Sequence, residues 1–141
     1  MKIKFKKLNP NAVLPSYKHE GDSGMDVSSV EDAVIQPHSF VKVGCGLAAE
    51  IPDGYEIQVR PRSGLQCKFG IVGAWGTVDA GYKGEIGIAL YNHNDEPYYV
   101  RAGDRVAQFV VAPVLRVEIE ETETLSESDR GASGFGSTGI Q

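Results

Sequence analysis

No apolar run in this chain is long enough for a membrane-spanning helix. The longest, Phe109 to Leu115, is a fraction of the ~20 residues that a helix needs to cross a bilayer. The N-terminal stretch MKIKFKKLNP is basic but has no apolar centre of the kind that a secretory signal requires. Cysteine is scarce: Cys45 and Cys67 lack C-x-x-C spacing and read as reduced thiols of a cytoplasmic protein. His19, His38 and His93 are scattered, which argues against a dedicated zinc site. Positive charge is short as well. With 14 Lys and Arg against 19 Asp and Glu, the net charge is -5, so there is no basic footprint for nucleic acid. An anionic substrate would have to be drawn by local arginines or a metal ion, because the overall field repels it.

What is present is strand periodicity. Tyr55, Ile57 and Val59 alternate with Glu56, Gln58 and Arg60; Ile86, Ile88 and Leu90 alternate with Glu85, Gly87 and Ala89. Val117 and Ile119 alternate with Arg116, Glu118 and Glu120, and Ile3 and Phe5 sit among lysines. Each stretch predicts a half-buried strand. Val106 to Ala112 is almost continuously apolar and predicts a strand covered on both faces. Pro52-Asp53-Gly54, Asn92-His93-Asn94-Asp95 and Ala102-Gly103-Asp104 are turn signals. The one helix expected is brief, Ser63 to Phe69, with Ser63 as N-cap and Gly70 as the left-handed residue that ends it. At 141 residues with 41% hydrophobic content, the chain fits a single all-β domain with a real core, a sandwich or barrel. After Thr124 the composition turns polar and glycine-rich, so residues 1–124 read as the β-domain and 125–141 as a flexible arm.

Several segments could do chemistry. Gly134, Gly136 and Gly139 spell G-x-G-x-x-G, as do Gly44 to Ala49 in relaxed form. That fingerprint works only between a strand and a helix; here one match meets the chain end and the other a turn, so neither is a dinucleotide loop. RPRSGLQCKFG, Arg60 to Gly70, follows a strand and opens the short helix. Helix N–H groups, a hydroxyl and an arginine make an anion cradle, although a structural cap with a surface arginine has the same letters. GTVDAGYKGEIGIALYN, Gly76 to Asn92, reads as a hairpin with Asp79 near its tip. A carboxylate there serves either turn geometry or proton transfer from water. SGMDVSS and GDRVAQ each set a carboxylate beside glycine and are unspecific singly.

Taken in order, Gly24 to Val27, Pro61 to Leu65, Gly76 to Glu85, Gly103 to Gln108 and Arg130 to Gly139 resemble the five motifs of the homotrimeric dUTPases, spanning about residues 20 to 139. The resemblance implies a distorted jelly-roll, the dUTPase-like β-clip, assembled as a homotrimer with shared active sites. It implies hydrolysis of dUTP to dUMP and pyrophosphate by water attack on the α-phosphorus, with Mg²⁺ on the triphosphate, which limits uracil incorporation into DNA and supplies dUMP for thymidylate synthesis. By the same resemblance Asp79 is the general base and Tyr82 packs under the deoxyribose. The backbone of Gly76, Thr77, Val78, Asp79 and Gly87 pairs with the uracil edge. Arg62, Ser63, Gly64 and Gln108 hold phosphate oxygens, with Gln108 counted among the catalytic residues. Asp26 lies near the hydrated Mg²⁺, and Asp104 buttresses an arginine of the second motif. The tail becomes a lid: Phe135 stacks on the base, while Arg130, with Gly136, Ser137 and Thr138, closes over the phosphates.

Ser23, Val27, Gln66 and the pair Ala80-Gly81 depart from the usual family residues, without removing any residue given a chemical role. Trp75 reads as packing. Two rivals share the fold: a dCTP deaminase-like enzyme, and a non-catalytic nucleotide-sensing module, since fold alone does not fix function. The Asp79 and Tyr82 pair with an intact fifth motif favours the dUTPase. A plain β-sandwich interaction protein would leave the motif order a coincidence.

Overall fold

The computed structural model describes residues 1–134. Its strands are β1 (Lys4–Lys7), β2 (Met25–Ser28), β3 (Ala33–Ile35), β4 (Phe40–Gly44), β5 (Leu47–Glu50), β6 (Tyr55–Arg60), β7 (Ile71–Gly73), β8 (Gly76–Val78), β9 (Gly87–Asn92), β10 (Tyr98–Val100) and β11 (Arg105–Pro113), with one helix, α1 (Ser63–Phe69), between β6 and β7. All pairings are antiparallel. A four-stranded sheet runs β2-β11-β6-β8 and a three-stranded sheet β4-β9-β7, with the pairs β1-β5 and β10-β3 beside them. The result is the expected all-β jelly-roll.

The alternation in β6 puts Ile57 and Val59 inside and leaves Gln58 and Arg60 half-exposed. β11 is the central strand, paired with β2 on one edge and β6 on the other. A register shift between Arg105 and Ala107 lets the adjacent Val106 and Ala107 both be buried, as a bulge re-aims side chains. Phe109 is fully buried and stacks on Phe5 of β1 at 6.3 Å. Val43, Ile71, Ile88 and Leu90 from the second sheet join Val27, Ile57, Val59 and Phe109 in one core.

Five expectations are corrected. Gly76 to Asn92 is not a hairpin: β8 pairs with β6, while β9 pairs with β4 and β7, so the glycine-rich loop crosses from one sheet to the other. Arg116 to Glu120 forms no strand, and Val117 and Ile119 are 76% and 91% exposed; among the described residues no strand pairs with this stretch and no helix or strand follows Pro113. Asn92 is not a turn residue but the fully buried end of β9. Its amide donates to Ile35 and Glu96 carbonyls at 3.0 and 2.8 Å and accepts from the Asn94 N–H and side chain at 2.9 and 2.8 Å, so it builds the following turn from inside. Ser63 begins α1 without capping it; Arg62 is the N-cap and no side chain bonds there. Gly70 does end the helix at φ 64°, a left-handed conformation that suits glycine. Finally, Trp75 is 68% exposed, and its contact is the Arg60 guanidinium, 5.2 Å above the ring.

Candidate functional site

One half of the site is built where β2 begins and β6 ends, on either side of β11. Register places Asp26 opposite Gln108 and Gln108 opposite Arg60, so the three side chains share one face. The chain then leaves β6 through Pro61 and enters α1. Asp26 Oδ1 accepts from Arg62 Nε at 3.0 Å and its Oδ2 from Arg105 Nη1 at 2.8 Å. Arg62 Nη1 also donates to the Arg105 carbonyl at 3.0 Å. One carboxylate thus fixes two guanidiniums, which keep further donors for a bound anion. Gln108 Nε2 donates to the Pro61 carbonyl at 2.9 Å. A Cβ at Gly24 would collide with the Gln108 amide, so the first motif's glycine makes room for the fourth motif's glutamine.

Gly24, Asp26, Arg62, Arg105 and Gln108 line a cavity of about 460 Å³ with Lys18, His19, Asp22, Ser23, Ser63 and Gly64. The first N–H groups of α1 have no intrahelical partner and face no acidic residue in that turn. Lys18, Arg62 and Arg105 outnumber Asp22 and Asp26 here, which makes the pocket locally positive on a chain of net charge -5. The expected buttress, Asp104, does something else: its Oδ2 accepts from the Arg101 N–H at 2.9 Å, closing the turn into β11. Asp26 holds the second-motif arginine instead.

The second half lies between the sheets. β8 pairs only with β6 among the described strands, so the other edge of Gly76, Thr77 and Val78 offers backbone donors and acceptors. With Asp79, Tyr82 and Gly87 they line a cavity of about 310 Å³, joined by Lys42, Val59, Glu85 and Ile86. Asp79 is exposed at the end of β8, and its carbonyl accepts the Tyr82 N–H at 3.0 Å. Tyr82 Oη donates to the Glu85 carbonyl at 2.8 Å. Neither cavity is lined by residues of the other. Arg130 lies at neither; its Nε donates to the Ser133 carbonyl at 2.9 Å. Phe135, Gly136, Ser137 and Thr138 lie outside the described residues.

Sequence reading missed Lys18, His19, Asp22 and Arg105 in the cavity around Asp26, and Lys42 and Glu85 in the cavity around Asp79. Arg105 and Glu85 stand inside motifs already singled out; the others carry no spacing signal. Among the described residues no three His, Cys, Asp or Glu groups converge as metal ligands. Mg²⁺ suits this donor set all the same, because it keeps waters and phosphate oxygens and asks for one or two carboxylates, which Asp22 and Asp26 provide at the cavity wall. Cys45 is apart from both halves. Burial pushes its thiol up to about 11, and its Sγ–H donates to the Ile86 carbonyl at 3.0 Å.

A dUTPase family profile matches residues 10–139. The chain belongs to the dUTPase family. It is 48% identical over 141 residues to the deoxyuridine 5'-triphosphate nucleotidohydrolase of Picosynechococcus sp., covering 99% of each chain. It is 49% identical to that of Nautilia profundicola, again over 99% of both. Among solved structures, Staphylococcus bacteriophage 80alpha dUTPase with dUPNHPP superposes with a TM-score of 0.93 at 30% identity, covering 99% of each chain. A variant of the phage phi11 dUTPase, in which a structural Mg(II) ion is coordinated, gives a TM-score of 0.85 at 26% identity, covering 90% of this chain and all of that one. The dUTPase profile spans all five motifs, so both cavities lie within the matched region. No helix among the described residues is long and apolar enough to cross a membrane.

Proposed function

We propose that this dUTPase-family chain hydrolyses dUTP to dUMP and pyrophosphate in the cytoplasm. The observation that carries the reading is the single cavity in which Asp26, Arg62, Ser63, Gly64 and Gln108 converge. Arg62, locked by Asp26, and the first N–H groups of α1 bind the phosphate chain. When Mg²⁺ is bound with the triphosphate, Asp26 and Asp22 would hold its hydration waters, and the ion would supply neutralisation of developing charge. The free edge of β8, with Gly87, reads the uracil by backbone hydrogen bonds, the kind of pocket that rejects a mismatched base strongly. Tyr82 lies under the deoxyribose and excludes a 2′-hydroxyl. Asp79 takes a proton from water as the water oxygen bonds to the α-phosphorus. The bond from that phosphorus to the bridging oxygen breaks, and pyrophosphate leaves with the electron pair. Positioning and charge stabilisation supply most of such catalysis.

The two cavities are separate within one chain, and Val117 and Ile119 are uncovered in it. Both observations support a homotrimer in which each active site takes its halves from different subunits, and in which residues 125–141, with Arg130 and the segment after it, close as an arm. Light scattering should give about 45 kDa, three times the 15.2 kDa chain; a fully active monomer contradicts this. The reaction is tested by measuring pyrophosphate release from each of dUTP, dCTP, dTTP and UTP with Mg²⁺. Release from dUTP alone is expected. Ammonia from dCTP would make the chain a deaminase, and silence on every nucleotide would make it a binding module.

A further inference from the structure

Tyr82 stands over a residue with no side chain. A Cβ on Gly84 would lie 2.6 Å from the Tyr82 hydroxyl and 2.7 Å from its ring carbon, while Gly84 is not among the residues with positive φ. Glycine is needed there for the ring, not for the backbone. The hydroxyl hangs on the Glu85 main-chain carbonyl at 2.8 Å. The Glu85 side chain turns the other way, and its Oε1 accepts the Gly46 N–H at 2.8 Å, across 39 residues of chain. That corner between β4 and β5 is bare at Gly44, where a Cβ would stand 2.5 Å from the same Oε1. One residue on, the Ile86 N–H donates to the Leu47 carbonyl at 2.9 Å. The loop from Asp79 to Ile86 is therefore fastened to the β4–β5 corner and the start of β5 by two side-chain bonds, Glu85 to Gly46 and Cys45 to Ile86, and one backbone bond, and of these the Glu85 bond sits on the residue whose carbonyl holds Tyr82.

We propose that Glu85 is a positioning residue for sugar selectivity: anchored on Gly46, it fixes the carbonyl that holds the Tyr82 hydroxyl and so sets the height of the ring in the base-side cavity. The proposal rests on the reading of Tyr82 as the gate against a 2′-hydroxyl. Glu85 acts by hydrogen bonding, not by charge, and does not touch reacting atoms.

The test is the ratio of kcat/KM for dUTP to that for UTP, measured on the full chain and its variants, with circular dichroism and assembly mass as folding controls. Glu85→Ala should lower the ratio on the order of ten-fold, the weight of one lost hydrogen-bonded restraint. Glu85→Gln keeps an oxygen acceptor for Gly46 and should stay within about two-fold of the parent, since a neutral acceptor loses only the charge-assisted part. Gly44→Ala displaces the carboxylate without altering it and should match Glu85→Ala, which also covers the case in which Glu85→Ala does not fold. Tyr82→Phe removes only the hydroxyl and should also lower the ratio. Tyr82→Ala tests the gate itself. If it leaves the ratio unchanged, the gate reading fails. If it erodes the ratio while Glu85→Ala and Gly44→Ala preserve it, or Tyr82→Phe preserves it, or Glu85→Gln behaves like alanine, the positioning role of Glu85 is overturned.

Discussion

Replacing Asn92 by leucine keeps the volume at the end of β9 and deletes every polar bond there. In the structure its side chain is fully buried and all its hydrogen-bonding capacity is used, with two donors to Ile35 and Glu96 carbonyls and two bonds accepted from Asn94. The Ile35 carbonyl is buried with no route to solvent, so its desolvation penalty is paid in full, about 1–3 kcal/mol. The Glu96 and Asn94 partners are exposed residues that recover water, each losing only about 0.5–1 kcal/mol of net hydrogen bonding. Together these come to about 2–5 kcal/mol, a large part of the stability of an ordinary domain. Equilibrium urea unfolding at fixed protein concentration reads this as a lower midpoint with an unchanged slope. Asn92→Asp separates the polar term from packing. It puts an acceptor where a donor faced two carbonyls, so its carboxyl is favoured protonated in the fold. A folded-state pKa raised above the unfolded one means that stability is present at low pH and lost as pH rises. This variant should therefore be weaker at pH 8 than at pH 5. A loss below about 1 kcal/mol in Asn92→Leu, or no pH dependence in Asn92→Asp, refutes the reasoning.

Asp79→Asn should lower kcat by ~10²–10⁴-fold, the usual weight of a general base, while the dissociation constant of a non-hydrolysable dUTP analogue changes little; near-normal turnover removes Asp79 from that role. Ending the chain after Ser128 should leave the melting temperature and assembly mass almost unchanged, because the contacts of Arg130 and Gly131 are local, and should lower turnover by orders of magnitude if the arm closes over the phosphates. A thiol reagent at neutral pH should titrate exposed Cys67 and spare buried Cys45 until the protein is unfolded. The Cys45 thiol, raised from 9.0 to about 11 in the fold, should make stability fall as pH climbs through that interval, because the unfolded chain releases the proton first; a Cys45→Ala variant should lack this slope.

The period-2 rows of β6 and β9, with the apolar run of β11, determined an all-β chain, since alternate residues of a strand face opposite sides whatever the topology. The order of the five motifs determined the family, and with it the residues worth examining. Gly70 was legible because only a left-handed residue ends that helix. Other features depend on where the chain returns to itself. Gly76 to Asn92 has the letters of a hairpin, and only the pairing of β8 with β6 and β9 with β4 opens it into a loop between sheets. Asn92 looks like turn material until the β3 carbonyl beside it is known. Asp26 and Asp104 each sit within two residues of a glycine in sequence; the one that clamps Arg62 is chosen by the register of β2 on β11. Local pattern fixes what a residue can do, because backbone geometry repeats. Partners more than a few dozen residues away are fixed by sheet register, which no short stretch of sequence contains.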